Sequence, residues 1–233
     1  MSAVFITATG TDIGKTAVAA ALIRAARRRG LAVQALKPVV SSFDAARPTS
    51  SDPARLLEAL DEPVTRETLA RISPWQYRAP LAANMAARLE GREVPFGEIV
   101  AHCRALSAAA EGLLLLEGAG GVMSPLSDDH TNLDLIVAVG APALLVTGSY
   151  LGAISHTLTA LEALRTRNAP VAAVVVSESA SDAVPLPDTM AELARFAPGA
   201  PLLALPRLPD PERTWEATPL LELIGAHRHA GQP

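Results

Sequence analysis

The chain holds one cysteine, Cys103, in 233 residues, so no intrachain disulfide can form. Nothing in the sequence pairs that thiol with a base, and it reads as a small buried hydrophobe. Positive charge is not in excess either. Twenty Lys and Arg against 24 Asp and Glu leave a formal charge of −4, which argues against a general nucleic-acid binder. The basic cluster Arg24, Arg27, Arg28 and Arg29 falls at the end of a predicted helix, where cations suit the helix dipole. No charged segment leading into an apolar stretch opens the chain, so the expectation is a cytoplasmic protein. Internal repeats and low-complexity linkers are absent. The length fits a single domain over residues 1–233, with a polar tail at 226–233 expected to fray.

One stretch lacks charge altogether. Residues 135–161 carry no Asp, Glu, Lys or Arg and are numerous enough to span a bilayer. Gly140, Pro142, Thr147, Gly148, Ser149, Gly152, Ser155 and His156 break the run up. It parses as the end of a helix, a buried strand at 143–147 and a new helix, which speaks against a membrane as partner.

What the chain does have is apolar material in a repeating order. Hydrophobic residues make up 49% and the mean hydropathy is +0.25, which excludes disorder. Residues 4–7, 32–36, 113–116, 143–146, 171–176 and 202–205 read as strands buried on both faces, as in a parallel sheet covered by helices. Residues 15–29, 52–60, 98–110, 131–139, 152–167 and 186–196 have helical spacing, and a short helix is expected at 81–89. Residues 39–51, the rest of 73–97, and 177–187 read as loops. Strands alternating with helices predict an α/β fold: a doubly wound, mostly parallel sheet flanked by helices. Ligands of such sheets bind beyond the carboxyl ends of the strands.

The first of those ends carries the strongest motif, Phe5-Ile6-Thr7-Ala8-Thr9-Gly10-Thr11-Asp12-Ile13-Gly14-Lys15-Thr16. Gly-Lys-Ser/Thr alone arises by chance in roughly one chain in ten. The strict phosphate-loop pattern also wants Gly where Thr9 stands. Its setting, after a strand and before a helix, gives the tripeptide its meaning. Backbone N–H groups of such a loop meet phosphate oxygens, and the following helix adds its positive end. Lys15 would reach the outer phosphates and the Thr16 hydroxyl would ligate Mg²⁺.

Three further residues fall at strand ends or helix starts. Lys37 closes the second strand because Pro38 has no N–H and biases its predecessor to extended backbone. Glu117 closes the third and opens Glu117-Gly118-Ala119-Gly120-Gly121, where a carboxylate beside a phosphate loop suits Mg²⁺. Asp52, in Ser50-Ser51-Asp52-Pro53, reads equally as a helix N-cap or as a second metal ligand. The segment Gly148 to His156 joins a strand to a helix, and its N–H groups are suited to an anion. The histidines form no ligand pattern: His102 falls in a helix, and His227 and His229 in the tail.

Together these residues resemble the dethiobiotin synthetase family of P-loop enzymes. The resemblance runs from Phe5 to about Glu212. It is carried by Thr11 to Thr16, Lys37-Pro38-Val39, Ser41, Asp52, Glu117 to Gly121, Ser124-Pro125-Leu126-Ser127-Asp128 and Leu151-Gly152. It implies an ATP-dependent ligase that joins CO₂ (or bicarbonate) to 7,8-diaminononanoate, with ATP as co-substrate and Mg²⁺ as cofactor. It implies Lys37, Lys15 and Thr11 as catalytic residues. Nucleotide binding would fall to Asp12, Ile13, Gly14, Lys15, Thr16, Ala17, Asp52, Glu117, Gly118, Ala119, Gly120, Ser177, Glu178, Pro206, Arg207, Leu208 and Glu212. Thr16, Asp52 and Glu117 would hold the metal. Thr11, Lys37 and Ser41 would hold the diamine. Leu151, Gly152, Ala153, Ile154 and Ser155 would hold its carboxylate from the partner subunit of a homodimer.

The chain departs from that family at three places. Ala8 replaces a glycine, and Ala83-Asn84 replaces a Pro-His pair. Ser177 replaces the asparagine that reads adenine, and a hydroxyl does not offer the paired donor and acceptor of an amide. Broader use of nucleoside triphosphates is the expectation. Two rival P-loop readings are weaker. Partitioning ATPases carry an extra lysine early in the loop, which residues 9–13 lack, and amidoligases need a glutaminase domain for which the chain is too short. A small-molecule kinase would be indifferent to CO₂.

Overall fold

The computed structural model describes residues 2–180 and 184–226. The strands are β1 (Ser2–Ala8), β2 (Val33–Leu36), β3 (Val39–Val40), β4 (Trp75–Gln76), β5 (Leu113–Glu117), β6 (Ala143–Gly148), β7 (Val171–Ser177) and β8 (Leu202–Leu205). The helices are α1 (Lys15–Arg28), α2 (Asp52–Ala59), α3 (Arg66–Ile72), α4 (Ala83–Leu89), α5 (Phe96–Ala109), α6 (Asn132–Val139), α7 (Ala153–Thr166), α8 (Leu186–Phe196), α9 (Pro211–Thr214) and α10 (Thr218–Ala226).

Six strands form one sheet in the order β2-β5-β1-β6-β7-β8, and every neighbouring pair is parallel. All six predicted apolar runs lie in it. Successive side chains of β1 alternate between faces: Val4, Ile6 and Ala8 join the cluster beneath α1, α2 and α10, while Phe5 joins the cluster beneath α4, α5, α6 and α7. Two covered faces explain why β5 is buried along its whole length and reads as four leucines before Glu117. β1 stands at the centre. The chain first moves to one side of it for β2 and β5, then to the other for β6, β7 and β8, so the carboxyl ends of β1, β2 and β5 converge at a switch point.

The charge-free run divides as expected into α6, β6 and α7, and among the described residues no helix is long and apolar enough to cross a membrane. Cys103 is fully buried in α5, and burial pushes its thiol up to about 12.

Stretches expected as loops, and others left unassigned from sequence, hold structure. β3 and β4 pair as a two-stranded parallel sheet, each too short to show a period of two. Helix α3 starts at a capping box between Thr65 and Thr68, yet only Leu69 and Ile72 of its seven residues are buried. So few apolar positions give no readable stripe. α9 and α10 follow β8 and were not expected either; α10 buries Leu220, Leu221 and Ile224. Of the tail expected to fray, Ala226 ends α10 and 227–233 lie outside the described residues.

Candidate active site

β1 delivers the chain to the loop, where the Thr9 N–H donates to the Val146 carbonyl at 3.0 Å. The loop then turns through Asp12 (φ 57°) and Gly14 (φ 108°) into α1. At Gly14 a side chain is disfavoured by the left-handed dihedral, and a Cβ there would also stand a tight 3.2 Å from Ser177 Oγ. Gly14 is the N-cap and provides no side-chain hydrogen bond, so the first N–H groups of α1 are left for a ligand. Lys15 is buried and its Nζ donates to the Gly10 carbonyl at 3.2 Å. Burial, helped by the neighbouring Lys37 ammonium, lowers its pKa from the ordinary lysine value.

Across the cleft, the Lys37 N–H donates to the Ile72 carbonyl at 2.9 Å, which fixes the end of β2 against α3. The Lys37 Nζ lies 2.6 Å from Glu117 Oε1 and 3.0 Å from Asp52 Oδ2. Thr16 Oγ1 donates to the same Glu117 Oε1 at 2.7 Å. Lys37 and Glu117 are almost wholly buried, whereas the Asp52 side chain is 39% exposed. Burial works against the Lys37 charge, but Glu117 and Asp52 outweigh it and hold its pKa above the ordinary value. Burial likewise opposes the Asp52 charge, and the Lys37 ammonium more than offsets it, leaving the carboxyl below its usual range.

Asp52 is not the N-cap that its position allowed. Ser51 caps α2, its Oγ accepting from the Ala54 N–H at 3.3 Å. A cap belongs outside the helical dihedrals, and Ser51 is extended (φ −85°, ψ 155°). The Asp52 carboxylate is thereby released to the cleft.

The cleft has a volume of about 710 Å³. It is lined by Thr11, Asp12, Gly14, Lys15, Thr16 and Ala17 from the loop and α1. Lys37, Ser41 and Asp52 line the opposite wall, with Ala119 and Gly120 at the floor. Glu117 lies beneath, reached through Thr16 and Lys37. Gly118 is packed against the Phe5 ring, which a Cβ would meet at 2.9 Å. The Ile13 side chain packs on the core. Ala83 lines the cleft where the resemblance had a Pro-His pair, and Asn84 Nδ2 is drawn aside to Asp128 Oδ1 at 3.1 Å.

The remaining predicted residues lie off the cleft. Ser177 ends β7 next to Gly14. Glu178 clasps the following loop, its Oε2 accepting from the Arg207 N–H at 2.7 Å. Leu208 packs on the core, and Glu212 is taken up by Arg55. Leu151 to Ser155 do not line this cleft, and Leu151 is 84% exposed. In that segment the Ser149 and Ala153 N–H groups already have partners, Ser179 Oγ and the Tyr150 carbonyl.

Several residues in and around the site were missed from sequence, and two of them make side-chain contacts that shape it. Arg55 lines the cleft one turn after Asp52, and only that i,i+3 spacing pointed to it. Asn132 is fully buried, and its Nδ2 donates to the carbonyls of Ala119 and Gly121, bracing the glycine loop. Nothing local in the sequence announces a bond across eleven residues.

The donor set fits Mg²⁺. Glu117 Oε2 is a buried oxygen with no hydrogen-bond partner, and hydroxyl and carboxylate oxygens are what a hard cation takes. Among the described residues no group of three or more His, Cys, Asp or Glu forms a cage. Two carboxylates and a hydroxyl accord with Mg²⁺, which keeps water and phosphate as its other ligands.

A family model described as an AAA domain matches residues 2–214. The chain is 52% identical over 227 residues to the "ATP-dependent dethiobiotin synthetase BioD" of Caulobacter vibrioides (strain NA1000 / CB15N), covering 97% of this chain and 100% of that one. The protein of the same name from Caulobacter sp. (strain K31) is 53% identical, with both chains covered in full. Among solved structures, the MinC:MinD cell division protein complex of Aquifex aeolicus superposes with a TM-score of 0.55 at 14% identity, covering 100% of this chain and 97% of that one. The cell division ATPase MinD of Pyrococcus furiosus gives 0.51 at 16%, covering 99% and 100%. These likenesses show the fold alone.

The lysine–carboxylate centre has a pH signature. A folded-state pKa raised above the unfolded one contributes stability that is complete below about pH 10.5 and is lost as pH climbs through the native value. In metal-free buffer the unfolding free energy of the native chain should exceed that of Lys37→Gln at pH 8, and the gap should narrow above pH 10.5. Denaturant titrations at both pH values measure it; a gap that widens with pH contradicts the pairing.

Proposed function

The chain belongs to the ATP-dependent dethiobiotin synthetase family, and on that premise we propose how its own residues carry out the reaction. The activity is ATP-dependent carboxylation and ring closure of 7,8-diaminononanoate with CO₂, giving dethiobiotin in biotin biosynthesis. One amine adds to CO₂ and loses a proton, leaving a carbamate. A carbamate oxygen attacks the γ-phosphorus and the bond to the ADP oxygen breaks, giving a carbamic–phosphoric anhydride. The second amine attacks the carbonyl carbon, loses its proton, closes the five-membered ureido ring and expels phosphate.

The observation that carries this reading is the meeting of Lys15, Thr16, Lys37, Asp52 and Glu117 at the ends of three adjacent strands. The difficult step brings an anionic carbamate against an anionic phosphate. Fixed cations in a cleft partly closed to water lower that repulsion most, since charge there is poorly screened. Lys15 would hold the β- and γ-phosphates and Lys37 the carbamate and the transferring phosphoryl group. Thr11 and Ser41 would orient the diamine. Ring closure then needs two amines held still, and well-oriented intramolecular reactions gain roughly 7–11 kcal/mol that way. Mg²⁺, held by Thr16, Asp52 and Glu117, would supply neutralising charge on the triphosphate oxygens.

Two further assignments complete the site. Ser177, Glu178, Pro206, Arg207 and Leu208 would surround the base. Leu151 to Ser155 would serve the substrate carboxylate of a second copy, in a homodimer. Their distance from this chain's own cleft and the exposure of Leu151 support that reading.

Incubation with diamine, ¹⁴C-bicarbonate, ATP and Mg²⁺ should yield acid-stable label in a cyclic urea. Lys37→Gln should fold, by circular dichroism, and lose turnover; a folded variant with near-native rate removes Lys37 from its role. A mixture of Lys37→Gln and Gly152→Val, each inactive alone, should recover roughly a quarter of native activity after subunit exchange, because half the dimers then carry one intact shared site. A mixture as inactive as its components rules out sharing. Losing two net hydrogen bonds at Ser177 should relax the preference for ATP over other triphosphates by roughly 5- to 150-fold against a relative bearing asparagine there. Equal or stricter preference in parallel kinetics argues against Ser177 as a base-reading position.

A further inference from the structure

Arg55 lies on α2 one turn beyond Asp52 and lines the cleft, with its side chain 39% exposed. Its Nε donates to Glu212 Oε1 at 2.7 Å, and its Nη2 pairs with the same oxygen. Its Nη1 stands 3.7 Å from Asp52 Oδ1, within ion-pair range but beyond a hydrogen bond. A guanidinium has five N–H donors in one rigid plane, so the Nη1 edge retains donors for another acceptor.

The position of the pair gives that edge a purpose. Helix α1 packs against both α2 and α9, and Arg55–Glu212 joins α2 to α9 across it. Ala17, in the first turn of α1, lines the same cleft as Arg55. A nucleotide whose outer phosphates sit in the loop extends its inner phosphate and sugar past that turn. One carboxylate, Asp52, borders the path and would repel the nucleotide if unmasked, while Glu212, off the cleft, holds the guanidinium. Arg55 faces both. A half-exposed ion pair adds little to stability by itself, whereas a guanidinium fixed by one carboxylate suits bidentate binding of a phosphate.

We propose that Arg55 is a nucleotide-binding residue, held in place by Glu212, whose Nη1 edge binds the inner phosphate of the nucleoside triphosphate as it leaves the loop. Glu212 is then a positioning residue, and its carboxylate acts through Arg55. The proposal rests on the reading of residues 9–16 as the triphosphate loop.

Calorimetric titration of the full chain with ADP and Mg²⁺ tests it, with Lys15→Ala as the control for the loop. Arg55→Gln should raise the Kd for ADP about tenfold, and Arg55→Lys should recover part of the loss. The KM for ATP should rise with the Kd while the KM for the diamine holds, a split that a general loosening of the fold would not give. Glu212→Gln should weaken ADP binding less than Arg55→Gln does. The double variant should lose no more than Arg55→Gln alone, because the two act as one unit. Native ADP affinity in Arg55→Gln alongside weakened binding in Lys15→Ala overturns the role of Arg55 and leaves the loop standing. Native affinity in both overturns the two together. Additive losses in the double variant overturn the positioning of Arg55 by Glu212.

Discussion

A lysine ammonium buried between two carboxylates is the interaction on which the rest of this site depends. Lys37 has Glu117 at 2.6 Å and Asp52 at 3.0 Å, and Glu117 also accepts from Thr16. Removing such charges from water costs several kcal/mol per ion, and the mutual attraction often does no more than offset it. A packed apolar trio would stabilise the fold as well. On the proposed reading the reaction needs charge there, and Glu117 Oε2, buried without a hydrogen-bond partner, is an oxygen still able to take a ligand. Three chain segments far apart in sequence therefore meet in one ionic cluster at the switch point of the sheet.

The fold brings most of the cluster together at strand ends, and α2 carries Asp52 in beside them. β1, β2 and β5 are neighbours, and each ends on a residue or loop of the site. Their side chains below the ends are packed on both faces, so the ends cannot shift without disturbing two clusters. Gly14 and Asn132 extend the same rigidity outward. The first allows the left-handed turn into α1, and the second braces the carbonyls of the glycine loop. Charges held this firmly need little rearrangement when a polyanion arrives, which is the condition for electrostatic catalysis.

How far this was legible depended on whether the signal was local. Each central strand is a contiguous apolar run, and the loop carries its meaning in consecutive residues, so the sheet and residues 9–16 could be read directly. Lys37 and Glu117 were readable because strand ends converge in any doubly wound sheet. Asp52 was ambiguous, since Ser51 and Asp52 are both good caps and only the backbone of Ser51 decides between them. α3, with two buried residues, and the two-residue strands β3 and β4 fall below the length at which periodicity speaks. Arg55 acts through a partner 157 residues away, which no window along the chain contains, and Asn132 bonds to backbone carbonyls about a dozen residues away, which carry no side-chain signal.

The long-range partner of Arg55 also changes how the charge of the cleft should be understood. From Glu117 through Lys37, Asp52 and Arg55 to Glu212, acidic and basic groups alternate in one chain of contacts. Each carboxylate in that row faces a cation, so none is left bare towards an incoming phosphate. Each cation is in turn oriented by a carboxylate, which removes much of the side-chain entropy that a free lysine or arginine would lose on binding. Net charge along the row is small, and its worth lies in arrangement. A ligand that displaces one contact, or a cation that replaces Lys37 between its two carboxylates, shifts the neighbours next in line. A row of this kind ties the Lys37–Glu117 pair to the Arg55–Glu212 pair through contacts alone, without a moving domain.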